Sequence, residues 1–141
     1  MTREEAQAFF TRRQTAWKNC DVDALTRDHA EDGTVSSPML GTIQGREEIA
    51  TSYVSVFRAF SVIDFMWEPL LIDGDRIAQP FNSAVTHTGV FMGFAGTGRR
   101  AQVQGVFFCD IANGMIAHEQ RLYDFTSLLI QLGALRAKPA S

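Results

Sequence analysis

Cysteine is nearly absent from this chain, and its two residues, Cys20 and Cys109, stand far apart. That excludes a disulfide scaffold and a close-spaced metal knuckle, and both are read as reduced thiols. Basic runs are also missing. Thirteen Lys and Arg against sixteen Asp and Glu leave a net charge of -3, without the clustered cations that phosphate contacts require, so nucleic acid is not an expected partner. No apolar stretch approaches the ~20 residues needed to span a bilayer. The N-terminus is charged and helix-like rather than apolar, and the expectation is a cytoplasmic protein. The histidines and carboxylates show no ligand spacing on a helix, and His118 and Glu119 are neighbours that face apart on a strand. No metal is therefore expected.

What is plentiful is aromatic surface. Eleven Phe, two Trp and two Tyr sit in 141 residues at 45% hydrophobic content, the size of one domain, taken as 1–141, with one core and one aromatic-lined cavity. Thr2 and Glu5 have capping-box spacing, and Ala6, Phe9, Phe10, Arg13, Trp17 and Cys20 then fall on one helical stripe. Asp21 is placed to cap a second helix over Asp23 to Ala30. Asp32-Gly33 ends it and opens an extended segment from Thr34 to Met39. A third helix starts at Gly45, with Ile49, Tyr53, Val56, Phe57 and Phe60 on one face.

Strands follow, over Ser61 to Ile72, Arg76 to Phe91, Arg100 to Ile111 and Met115 to Asp124. Asp73-Gly74 and Asn113-Gly114 are tight-turn dipeptides, which predicts antiparallel hairpins. Between them Gly93, Gly96 and Gly98 mark a mobile loop. No helix follows it, so it is no phosphate cradle, and no cofactor is implied. Thr126 to Leu132 reads as a short closing helix stopped by Gly133. Strands apolar on both faces predict a curved sheet that wraps the helices and meets a second copy of the chain, a homodimer, through its outer face.

Thr86-His87-Thr88-Gly89, Thr97-Gly98-Arg99, the turn at Asn113-Gly114, and Tyr123-Asp124 leading into Gln131-Leu132-Gly133 together resemble the SnoaL-like polyketide cyclases and ester-cyclase-like proteins of the nuclear-transport-factor-like superfamily. The resemblance is strongest over residues 74 to 135. It implies an α+β fold: a cone of curved antiparallel sheet around three N-terminal helices, one ligand pocket and a short C-terminal helix. Many relatives carry prolines where this loop has Ala95 and Gly96. The superfamily includes cyclases, dehydratases, isomerases, epoxide hydrolases and proteins without known chemistry.

In that resemblance Asp124 takes the place of the acid/base carboxylate, removing a proton from a carbon flanked by carbonyls without any cofactor. Its position just before a helix equally suits an N-cap. His87 is a candidate donor to a developing enolate oxygen, against a partly buried structural role. Gln104 and Gln120 are candidate polar orienters, and Trp17, Tyr53 and Phe91 candidate cavity walls. His118 and Arg121 fall on opposite faces of the last strand, so at most one reaches the pocket. The expected ligand is a small, apolar, oxygenated molecule. The alternatives are a non-catalytic lipophilic-ligand-binding or dimerisation domain, and an epoxide hydrolase recruiting Asp110 and Arg121.

Overall fold

The computed structural model describes residues 1–140. Thr2 caps α1 (Arg3–Lys18), with both halves of the capping box formed through Glu5. The predicted stripe is buried except at its end, because Cys20 lies beyond the helix and is exposed. Asp21 caps α2 (Val22–Arg27) through the Ala24 amide. This helix is shorter than expected, since the chain turns extended at His29 to form β1 (His29–Ser37). β2 (Gly41–Gln44), which the sequence reading missed, pairs with β1. α3 (Arg46–Ala59) follows Gly45 as predicted.

The single strand expected over Ser61 to Ile72 is broken into β3 (Val62–Trp67) and β4 (Leu71–Asp73), and both pair with β5 (Arg76–Thr86). Pro69 interrupts it, and Pro80 of β5 sits opposite the break, where no ladder requires its missing amide proton. β5 stops at Thr86, short of Phe91. β6 (Arg100–Ala112) and β7 (Met115–Tyr123) close the hairpin at Asn113-Gly114, both at positive φ. α4 (Phe125–Gln131) ends the fold.

The seven-stranded sheet runs β2-β1-β7-β6-β5-β3, with β4 beside β5. Its neighbours are antiparallel except β1 and β7, which pair in parallel, a correction to the all-antiparallel expectation. One irregularity positions the site. The β6–β7 register slips by a residue between Asp110 and Ile111, so Phe107 faces Arg121 and Cys109 faces Glu119. Without that bulge, Phe107 would face Gln120. Gly105 belongs to the same inner face, and a Cβ there would stand 2.8 Å from the Phe81 ring. Its bareness lets the sheet bend tightly over that ring.

Candidate functional site

The inner face of the sheet carries Ile63, Phe65 and Trp67 from β3, Phe81, Ser83 and Val85 from β5, Val103 and Phe107 from β6, and Glu119, Arg121 and Tyr123 from β7. All of these but Trp67 and Glu119, with residues of the C-terminal end of α1, α3 and α4, line a cavity of about 840 Å³, large enough for a multi-ring molecule. Its inner end is aromatic. Trp17 lies with its ring centroid within 5.3 to 5.6 Å of those of Tyr53, Phe57, Phe65 and Phe107. Its mouth is apolar and exposed at Leu40, Val90 and Met92.

Beneath Trp17 and Phe107 lies a buried network of charges. Arg13 donates to Asp28 at 3.1 Å, to the Leu25 carbonyl at 3.0 Å and to the Tyr53 hydroxyl at 2.9 Å, and stands 3.6 Å from Glu119. Arg121 donates through Nε to Glu119 at 2.6 Å and through Nη1 to Ser52 at 3.0 Å, while its guanidinium lies 4.4 Å above the Tyr53 ring. The Tyr53 oxygen is 2.8 Å from His29 Nε2. Arg13 donates to the same oxygen, so Tyr53 joins the guanidinium and the imidazole through one hydroxyl, and the direction of its bond to His29 follows the imidazole tautomer. Burial would raise the Glu119 carboxyl, but the cations, Arg121 foremost, outweigh it and hold it at about 2. Burial, with Arg13 and Arg121 adding to it, outweighs the pull of Glu119 and pushes His29 down to about 3. Glu119 is therefore ionised and His29 neutral at physiological pH.

Two members of this strand reach the cavity. Arg121 lines it while only 6% exposed, and its Nη2 has no hydrogen-bond partner. Tyr123, two residues on and on the same face, also lines it, and burial raises its hydroxyl above the ordinary value, so it stays protonated. Arg121 and the phenol of Tyr123 thus join Ser37, Ser55, Arg58 and Ser83 as the polar residues of a largely apolar wall, and the unpartnered Nη2 of Arg121 is itself shielded from solvent. Among the described residues, neither an Asp, a Glu nor a His lines the cavity. A second void of about 10 Å³, bordered by Arg13, Gln14, Gln79 and Glu119, is walled off by Trp17 and Phe107; it has room for roughly one water molecule.

These placements revise the expected site. Asp124 is exposed and caps α4, accepting from the Ser127 amide at 2.9 Å, and it is not part of the cavity wall. His87 is buried behind the rings of Phe60 and Phe91, with Nδ1 engaged by the Thr97 amide and hydroxyl. It pins the glycine-rich loop rather than facing a ligand. That loop is further tied by a two-residue turn at Met92-Gly93, which pairs Phe91 with Phe94. Gln104 and Gln120 point to the outer face and are exposed, Gln104 because β6 turns its odd-numbered residues inward throughout, and Gln120 because the extra residue of β7, Ala117, turns Glu119 and Arg121 inward. Asp110 is also outside, paired with Arg76. Trp17 and Phe91 do line the cavity, whereas Tyr53 lies beneath it in the charge network. The sequence reading left Arg121 out of the site and missed Glu119 and His29 altogether. Arg13 on the apolar stripe of α1 was the one legible sign of a buried counter-charge.

Among the described residues, no group of His, Cys, Asp and Glu converges to hold a metal ion, and no helix is long and apolar enough to cross a membrane. No curated protein shows significant similarity. Solved structures do, although identities this low bear on the fold alone. AclR from Streptomyces galilaeus, a candidate hydroxylase, superposes with a TM-score of 0.84 at 21% identity, over 98% of this chain and 91% of its own. A candidate SnoaL-like polyketide cyclase from Jannaschia sp. CCS1 gives 0.85 at 15% identity, over 94% of each. An LEH-like epoxide hydrolase from M. tuberculosis gives 0.70 at 16%, over 92% and 90%. The model of the SnoaL-like polyketide cyclases matches residues 7–132. With nearly the whole domain matched and the cone-shaped fold in place, the chain belongs to the SnoaL-like polyketide cyclase family.

Proposed function

We propose that the protein is a cofactor-free cyclase or isomerase of an apolar, oxygenated small molecule, whose reacting carbonyl docks at the inner end of the cavity against Arg121 and Tyr123. The observation that carries this reading is a buried arginine, Arg121, among the residues that line a largely apolar cavity. A ligand oxygen that reaches Arg121 meets a charged donor in surroundings of low dielectric. If negative charge develops on the oxygen during reaction, the interaction strengthens, and this differential is what lowers a barrier. Ring closure or double-bond migration through an enolate also needs a proton acceptor, and with no carboxylate or imidazole among the described residues of the wall that acceptor is water in the cavity.

The general acid/base role expected of Asp124 does not enter this reading, because that side chain is spent on the helix cap. Nor does the hydrolase reading, since the buried carboxylate nearest the cavity, Glu119, is engaged by two arginines behind Trp17 and Phe107. A non-catalytic binding domain is favoured by one observation, the lack of a carboxylate or imidazole on the wall. One experiment separates these readings: incubation with aryl β-keto esters and β-diketones followed by mass spectrometry in 18O-labelled water. An isomeric product, or one lighter by a water, is expected; a labelled product heavier by a water indicates a hydrolase, and bound but unchanged ligand a binding domain.

The outer sheet face exposes Met66, Leu71, Phe108 and Leu122, with Val106 and Pro80 between them in the ladder. We propose a homodimer through this patch. A dimeric mass by sedimentation that falls to monomer in Phe108→Glu is the expected result.

A further inference from the structure

The mouth of the cavity exposes side chains of a kind that a free surface hides. Leu40 of the β1–β2 turn and Val90 and Met92 of the glycine-rich loop line it and stand out in solvent, with Phe94 exposed beside them. Met92 and Gly93 are the central pair of a two-residue turn, both at positive φ, a place that favours Asn-Gly. Methionine there sets an apolar side chain at the tip, at some cost in backbone strain.

Charge is divided along the same axis. The stretches that build the mouth and the helix beside it, 37–44, 49–63, 86–101 and 125–140, hold Arg58, Arg99, Arg100, Arg136 and Lys138 and no Asp or Glu. Asp64 and Asp124, which border these stretches, are taken up by Arg100 and by the α4 cap. The other four cations make no ion pair among the described residues. Arg58 lies on the cavity wall, and Arg99 donates to the Gln131 carbonyl at the end of α4. The opposite end is acidic. Asp73 and Asp75 stand at the β4–β5 turn, where Asp75 holds the Met1 amino group, and Asp110 lies near the β6–β7 turn. Glu47 and Glu48 open α3, whose Arg46 reaches Met115 beside that turn. A chain of net charge -3 thus presents a positive mouth.

We propose that this mouth docks on an anionic lipid bilayer without crossing it, Leu40, Val90, Met92 and Phe94 entering the interface while Arg58 and Arg99 meet the lipid phosphates. Apolar side chains at headgroup depth supply the hydrophobic part of such binding, and basic residues the attraction to anionic lipid. The field of the polarised chain turns the mouth toward the surface. A bilayer suits this rim better than a protein does. A rigid partner seated across it would stop the way into the cavity, whereas fluid lipid admits the loops and leaves an apolar passage between them. A ligand of the kind proposed above then passes from lipid to cavity without entering water. That consequence rests on the function reading; the docking does not.

The test is co-sedimentation of the full chain with vesicles of phosphatidylcholine alone and of phosphatidylcholine with about one third phosphatidylserine. Binding to the anionic vesicles at least about tenfold tighter than to the neutral ones is expected, weakening as salt rises. Val90→Ser with Met92→Asn reduces it by at least about tenfold, and the fold is kept because Asn-Gly is the pair this turn prefers. Arg58→Gln with Arg99→Gln weakens it by a similar factor, whereas Arg76→Gln at the acidic end leaves it unchanged. Absence of binding to both vesicles overturns the proposal in favour of a protein partner. Binding that the mouth variants leave unchanged also overturns it, since lipid then meets another face. Turnover is not read in this assay, so failed docking leaves the function reading standing, and absence of product from the β-keto esters leaves the docking standing.

Discussion

At the closed end of the cone, α1 lays Phe9, Phe10, Arg13 and Trp17 on the sheet and fills it; toward the mouth, Ala59, Phe60, Leu128 and Leu132 pack with Val85 and Ala101, and a cavity of about 840 Å³ remains. The same curved sheet lines both regions. The closed end spends its polar groups on one another, two buried guanidiniums against two buried carboxylates with a phenol and an imidazole between them. The open end has almost none to spend. Arg121 belongs to both, since its Nε and Nη1 serve the network while its side chain also forms part of the cavity wall. The network acts as a mounting that fixes one donor at the edge of an apolar space.

The sharpest way to break this comparison is to take a carboxylate out of the mounting. Glu119→Gln leaves Arg13 and Arg121 facing each other with one buried counter-charge fewer, and a loss of about 3–5 kcal/mol in urea unfolding is expected. Next comes Tyr53→Phe, which strands a donor of Arg13; about 2 kcal/mol should be lost while the volume is conserved. Acid distinguishes the two ends further. His29 ionises at about 3 in the fold against an ordinary value of 6.5. Between these values the unfolded chain binds a proton that the folded one refuses, so stability declines as pH falls below 6.5. The slope contributed by this one group is about 1.4 kcal/mol per unit. Glu119 adds to the loss below its ordinary 4.5, down to about 2. His29→Gln should flatten the curve between pH 6.5 and 4.5 relative to the unaltered chain, and an unchanged slope would show that His29 is not held neutral. The smallest effect is Asp124→Ala, a lost helix cap worth about 1 kcal/mol, with no change in ligand binding.

Much of the fold was legible because it rests on local signals. The Thr2 and Glu5 box, the Asp21 cap, the Gly45 start and the Asn113-Gly114 turn each act within a few residues, and each is found in place. The strand break at Pro69 and the parallel pairing of β1 with β7 were not legible, since the first depends on what lies opposite and the second on partners some eighty residues apart. The site suffered most from one residue. Read with strict alternation back from an inward-facing Asp124, β7 turns Gln120 and Leu122 inward; Asp124 is instead an exposed helix cap beyond the strand, and the same alternation turns Glu119, Arg121 and Tyr123 inward. Arg121 was thereby kept out of the expected site and Gln120 placed in it. Trp17 and Phe91 survived because an aromatic side chain on a helix stripe or in a loop does not depend on strand parity.

The most direct test of the central claim, that the ligand meets Arg121 and not Asp124, is side-chain NMR during titration with benzoylacetone, following the nitrogen-15 resonances of Arg121 and the carbon-13 carboxyl resonance of Asp124 together. The account predicts a saturable shift at the Arg121 terminal nitrogens with the Asp124 carboxyl unmoved. A saturable shift at Asp124 with Arg121 silent would contradict it.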